Sequence, residues 1–199
     1  MGLGFESRRD HLNLTNCGEI FCFTTMQGPT HILTGVIIRR IFAWRDYPLF
    51  SISFTVFFGL LSHGILDKVA KATYHPPHAD FTDPFWLAYH ITVWLISIVM
   101  LYKFWGEYTL GIIFAMLPDL DWVILHTADA FGKEIIFYKR PWLHDCLNYF
   151  LDAVPPFSYL NQLPDNRLLP LSCIWEVLLF GILWIFYKAL MNRRRNIHF

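Results

Sequence analysis

The stretch LFSISFTVFFGLLSHGILD, Leu49 to Asp67, decides the fold. Its first part, Leu49 to Leu66, is apolar except for Ser51, Ser53, Thr55, Ser62 and His63. As a helix rising 1.5 Å per residue it covers about 27 Å, close to the thickness of a bilayer's hydrocarbon core. Apolar side chains fall on every face, which a surface helix of a soluble domain does not need. The run nevertheless closes on His63 and Asp67, an imidazole and a carboxylate one turn apart on a single face.

Two further runs repeat the membrane signal. Phe85 to Leu101 is the clearest, with Trp86, Trp94, Tyr102 and Trp105 placed as interface anchors. Leu171 to Leu190 is interrupted only by Glu176 and ends towards Lys188 and Arg193-Arg194-Arg195. A soluble helical protein with a greasy core is the rival reading, and three such runs weigh against it. Across the chain 55% of residues are apolar, 18% aromatic and only 16% charged. Soluble chains carry about 25% charged residues. Sixteen basic and sixteen acidic residues cancel, so nothing favours a nucleic-acid partner.

The expected architecture is therefore all-α, a multi-pass transmembrane bundle of about four to six helices around a polar metal-binding centre. Residues 1–25 read as an N-terminal extension and 26–199 as one helical membrane domain. The first 25 residues lack a long apolar core with a small-residue cleavage site, so no cleavable signal is expected. Thr30 is a candidate cap for a short helix through Phe42, half-buried against its neighbours. Residues 132–152 read as amphipathic, and 153–170 as a connector rich in proline and asparagine. The three arginines beyond the last span predict a cytoplasmic C-terminus in the inner, cytoplasmic membrane. Cys17, Cys22, Cys146 and Cys173 form no C-x-x-C pair and read as free or structural thiols.

An ionisable group in a membrane segment costs about 2.5–3.5 kcal/mol, so each one asks for a reason. This chain has His63, Asp67, His90, Asp119, Asp121, His126 and Glu176 in or beside apolar runs. His63 and Asp67 can reach one ion, or simply hydrogen-bond to each other. Leu117-Pro118-Asp119-Leu120-Asp121 puts two carboxylates at a proline break, where an N-cap explains one of them but not readily both. Thr30-His31 opens a helix with Gly35 one turn on, which permits close helix approach or leaves room for an ion. Lys139-Arg140-Pro141-Trp142-Leu143-His144-Asp145 sets a guanidinium able to clamp phosphate one turn before a candidate ligand, or is an ordinary basic flank. His90 reads as a helix–helix hydrogen bond rather than a ligand, and His75 and His78, with Asp80 and Asp83 nearby, as an interfacial turn rather than a loop metal site or a lid. Glu176 is expected to face the interior and pair with a histidine or arginine.

Together these patterns resemble the YdjM-type membrane-bound metal-dependent hydrolases over roughly residues 26–150. The resemblance rests on Thr30-His31-x-x-x-Gly35, on Leu117-Pro118-Asp119-Leu120-Asp121, and on the basic stretch ending at His144. At that stretch the chain has Lys139-Arg140-Pro141 and His144-Asp145 where the family shows His-Arg-Gly and His-Ser. The family is distantly similar to zinc-dependent phospholipases C, whose ligands include an H-x-x-x-D pair like His63 and Asp67. The resemblance implies His31, His63, Asp67, Asp119, Asp121 and His144 as metal ligands. Their nitrogens and carboxylate oxygens suit Zn²⁺ best and accept Mn²⁺ or Fe²⁺. On this reading Arg140 neutralises a phosphate, and Glu176 or His126 serves as general base or orients a ligating histidine. The expected function is a metal-dependent hydrolase cleaving a phosphoester or ester, with membrane lipid as partner and source of substrate. The alternatives are a transporter for protons or divalent cations, against which the absence of a sequence repeat speaks, and a non-catalytic membrane protein with a structural metal.

Overall fold

A computed structural model describes residues 28–195 apart from 45, 75, 77–81 and 131–139. The described residues form helices and no strand. In chain order these are α1 (Gly28–Ile41), α2 (Pro48–Ala70), α3 (Pro84–Met116), α4 (Asp119–Ala130), α5 (Trp142–Ala153) and α6 (Cys173–Arg195). Short 3₁₀ turns at Phe157–Gln162 and Pro170–Ser172 lie between α5 and α6.

Among the described residues, three stretches are long and apolar enough to cross a membrane: α2, α3, and Pro170–Arg193, which takes in most of α6. This is fewer than the four to six the sequence suggests, because α1, α4 and α5 have only 12 to 14 residues. Proline at the first turn starts both α2 and α3, where its missing N–H costs nothing. Asp83 caps α3 by accepting from the Phe85 N–H at 2.9 Å. Large apolar side chains such as Leu49, Phe57, Val99, Leu171 and Ile185 remain exposed along the three spans, the surface a lipid-facing helix requires.

The centre of the bundle is α1. It is buried along most of its length, not half-buried as its sequence suggests, because α2, α3 and α6 all pack against it. Ile32, Leu33 and Val36 share a core with Met100, Phe104, Ile112 and Tyr187. The helix begins at Gly28 and Pro29, so Thr30 lies in its first turn and is not its cap. Gly35 serves the close approach: a Cβ there would sit 2.5 Å from the Gly111 carbonyl oxygen.

The 33 residues of α3 extend well past the apolar run Phe85 to Leu101, and they cannot run straight. Gly28 touches Ser97 while Gly35 touches Gly111. Through α1 those two contact points lie at most about 16 Å apart, whereas a straight helix would set Ser97 and Gly111 about 21 Å apart. The helix therefore bends between them. Gly106, with open space where a Cβ would be, and Thr109, whose hydroxyl donates to the Trp105 carbonyl, lie in that interval. Both features loosen a helix locally. Beyond the bend the last turns of α3 return along α1 from the Arg40–Glu107 pair to Ala115.

Candidate metal centre

Four helices deliver side chains to one place. His31 comes from the start of α1, His63 and Asp67 from the last third of α2, Asp119 from the start of α4, and His144 from the first turn of α5. Proline supplies the local reason for Asp119: Pro118 ends the α3 run, and the chain restarts as α4 with its acidic first turn at the break.

His63 is the hub and is fully buried. Its Nδ1 lies 2.8 Å from the Ala115 carbonyl oxygen, and only an N–H can donate to that acceptor. The Nε2 lone pair of the neutral ring therefore points into the cluster. It meets His144 Nε2 at 3.2 Å and Asp67 Oδ2 at 3.2 Å, while His144 Nε2 and Asp67 Oδ2 are 3.3 Å apart. Three donor atoms thus form a nearly equilateral triangle. An ion held tetrahedrally about 2.0 Å from each nitrogen and oxygen would space its ligands about 3.3 Å apart. The residues present fit such an ion, with one tetrahedral position left over.

Two further groups rim the triangle. Asp119 Oδ1 is 3.6 Å from His63 Nε2, and His31 Nε2 is 3.7 Å from Asp67 Oδ1. The His31 ring stacks on His63 with centroids 4.4 Å apart. His31, His63 and Asp67 make one ion-sized donor group and His63, Asp119 and His144 another. Burial pushes the Asp119 carboxyl up to about 6, against the pull of His63.

Asp121 stands behind this arrangement. Its Oδ2 accepts from the backbone N–H of Leu143 at 2.6 Å and of His144 at 3.1 Å, so it caps α5 from another helix. The same oxygen is 3.5 Å from His144 Nδ1. A carboxylate behind the outer nitrogen of a histidine fixes its ring and raises its basicity. The sequence groups Asp121 with the ligands, whereas its contacts make it the support for one. Its signal was ambiguous, since an N-cap and a ligand both ask for an aspartate after proline.

The remaining residues singled out in the sequence lie elsewhere. Arg140 is exposed, 3.5 Å from Asp145 and stacked on Trp142, and makes no contact with the triangle. Glu176 is buried but pairs with the Tyr89 hydroxyl, not with a histidine or arginine. Tyr89 belongs to the first turns of α3, at the opposite end of that helix from Ala115. His90 turns Nδ1 back to the Trp86 carbonyl at 2.6 Å and stacks on Trp86. His126 lies in α4 with its side chain outside the described residues, as are Lys139, His75 and His78. What the sequence did not reveal is the Ala115 carbonyl that sets the His63 tautomer. A backbone acceptor 52 residues away leaves no trace in the pattern of side chains.

Comparison with protein-family models, curated proteins and solved structures finds no match for this chain.

Proposed function

We propose that this membrane protein is a metal-dependent hydrolase in which His63, Asp67 and His144 hold a single divalent cation. The observation that carries this reading is the 3.2–3.3 Å triangle of His63 Nε2, His144 Nε2 and Asp67 Oδ2. Two nitrogens that both face a carboxylate at that spacing are stabilised together by a cation. Two imidazoles and one carboxylate suit Zn²⁺, with Mn²⁺ or Fe²⁺ as alternatives, and three protein ligands with an open fourth position is the pattern of catalytic zinc sites. When bound, such an ion supplies Lewis acidity and makes water a nucleophile near neutral pH.

The chain's own groups divide the remaining work. Ala115 holds His63 in the tautomer that presents Nε2, and Asp121 orients His144 while anchoring the helix that carries it. Asp119, partly exposed at the rim, is the group placed to take a proton from attacking water. His31, stacked on His63, keeps bulk water from the inner side of the centre. The charge of a phosphate is not assigned to Arg140, which is engaged with Asp145. The substrate on this reading is an ester or phosphoester of a membrane lipid, and the resemblance to YdjM-type hydrolases rests on the same His31, Asp119, Asp121 and His144.

A second reading, a transporter of protons or divalent cations, is favoured by the bend in α3 and the helix break beside buried carboxylates. One experiment separates the two. Purified protein in lipid nanodiscs is given chromogenic ester and phosphodiester substrates before and after chelation and Zn²⁺ return. The hydrolase reading expects turnover that chelation removes and Zn²⁺ restores. Metal-dependent cation flux in proteoliposomes without any turnover would replace it with the transporter.

A further inference from the structure

The helices fix which end of the bundle holds the centre. His63 is seven residues from the end of α2 at Ala70 and fifteen from its start at Pro48, so it lies about 10 Å from one end and 22 Å from the other. α5 stands beside the same last turns of α2. His144 meets His63, Leu147 and Leu151 pack over Gly64, and Lys68 bonds Asp152 and Asn161 at 2.7 Å each. The connector meets this end, with the Asn166 N–H donating to the Lys71 carbonyl at 2.8 Å.

The other end is basic. Arg39 bonds Ser51 near the start of α2, and Arg40 meets Glu107 at the bend in α3. α6 descends to the same end: Glu176 pairs with Tyr89, then Tyr187 packs on Phe104 and Tyr108 reaches Met191, before Arg193. Lys103 and Lys188 lie over the Trp184 ring there. Among the described residues the end that holds the centre carries Lys68, Lys71, Arg140 and Arg167, whereas the other end gathers Arg39, Arg40, Lys103, Lys188 and Arg193, with Arg194 and Arg195 next in the sequence. Lys and Arg near span ends, counted whether or not a carboxylate faces them, favour the cytoplasmic side.

We infer that the His63–Asp67–His144 centre opens on the membrane face opposite the cytoplasm, and that it draws its substrate from the headgroups of that leaflet. The choice of a lipid substrate rests on the hydrolase reading, whereas the sidedness rests on the helix directions and the placement of Lys and Arg. The test uses intact cells, inverted vesicles and a membrane-impermeant maleimide, with peptide mass spectrometry to find the labelled thiol. Cys146 on the exposed face of α5 is a native probe, and Asp165→Cys places a second one in the exposed connector. Both should be labelled in intact cells, while trypsin should cut at Arg193 only in inverted vesicles. Labelling confined to inverted vesicles, labelling of neither thiol in intact cells, or trypsin cutting at Arg193 in intact cells, would overturn the inference. Metal analysis of the same membranes reads the hydrolase proposal separately: correct sidedness without metal would remove the enzyme and leave the topology.

Discussion

Two buried polar clusters sit in this bundle, and they differ in how they are satisfied. At one end of α3, Glu176 from α6 meets the Tyr89 hydroxyl, and each group answers the other. At the opposite end, around Ala115, two imidazole nitrogens and a carboxylate oxygen stand within 3.3 Å of one another. The first pair closes on itself and ties two helices together. The second brings three donor atoms to one point, where protons or, on the proposed reading, one cation can join them. Burial of an ionisable group in a membrane protein therefore does not by itself mark a site, and what distinguishes the two clusters is the number of possible metal donors that meet at one point.

The comparison is broken most directly at the hub. His63→Ala removes a donor common to both ion-sized groups and should lower bound metal from one ion per chain to near zero, read by elemental analysis. Asp121→Asn is the next test. It leaves all three triangle atoms in place but weakens the support of His144, and should cost roughly 10–100-fold in metal affinity by chelator competition. The packing that brings α1 to the centre is probed by Gly35→Ala, whose added methyl meets the Gly111 backbone. Overpacking of this kind costs about 1–3 kcal/mol, seen as a lowered thermal midpoint. The smallest effect belongs to the satisfied pair: Glu176→Gln keeps a hydrogen-bonding partner for Tyr89 and should shift stability by about 1 kcal/mol or less. Its metal content should equal the wild type's, and a loss would show that the two clusters are coupled.

Much of this was legible in the residues. The three spans follow from unbroken apolar length, a property of composition that needs no tertiary contact. His63 and Asp67 follow from the helical period, and Asp119 from the proline before it. The sequence could not show that α1 would be the buried centre, since a 14-residue helix reads the same at the surface of a bundle or inside it. It could not show the bend in α3, because only the contacts of Gly28 and Gly35 force it. Nor did it divide roles among the candidates. Asp121 became a support, Glu176 a helix tie and Arg140 a surface pair, because each role depends on a partner distant in the chain or on the direction of one side chain.

On the proposed reading one cation belongs at the meeting point of His63, Asp67 and His144. Elemental analysis of the purified wild-type protein beside His63→Ala and Glu176→Gln tests it most directly. One zinc, manganese or iron per chain is expected in wild type and in Glu176→Gln, and almost none in His63→Ala. A wild-type protein that purifies without metal, or a His63→Ala variant that keeps its full complement, would contradict it.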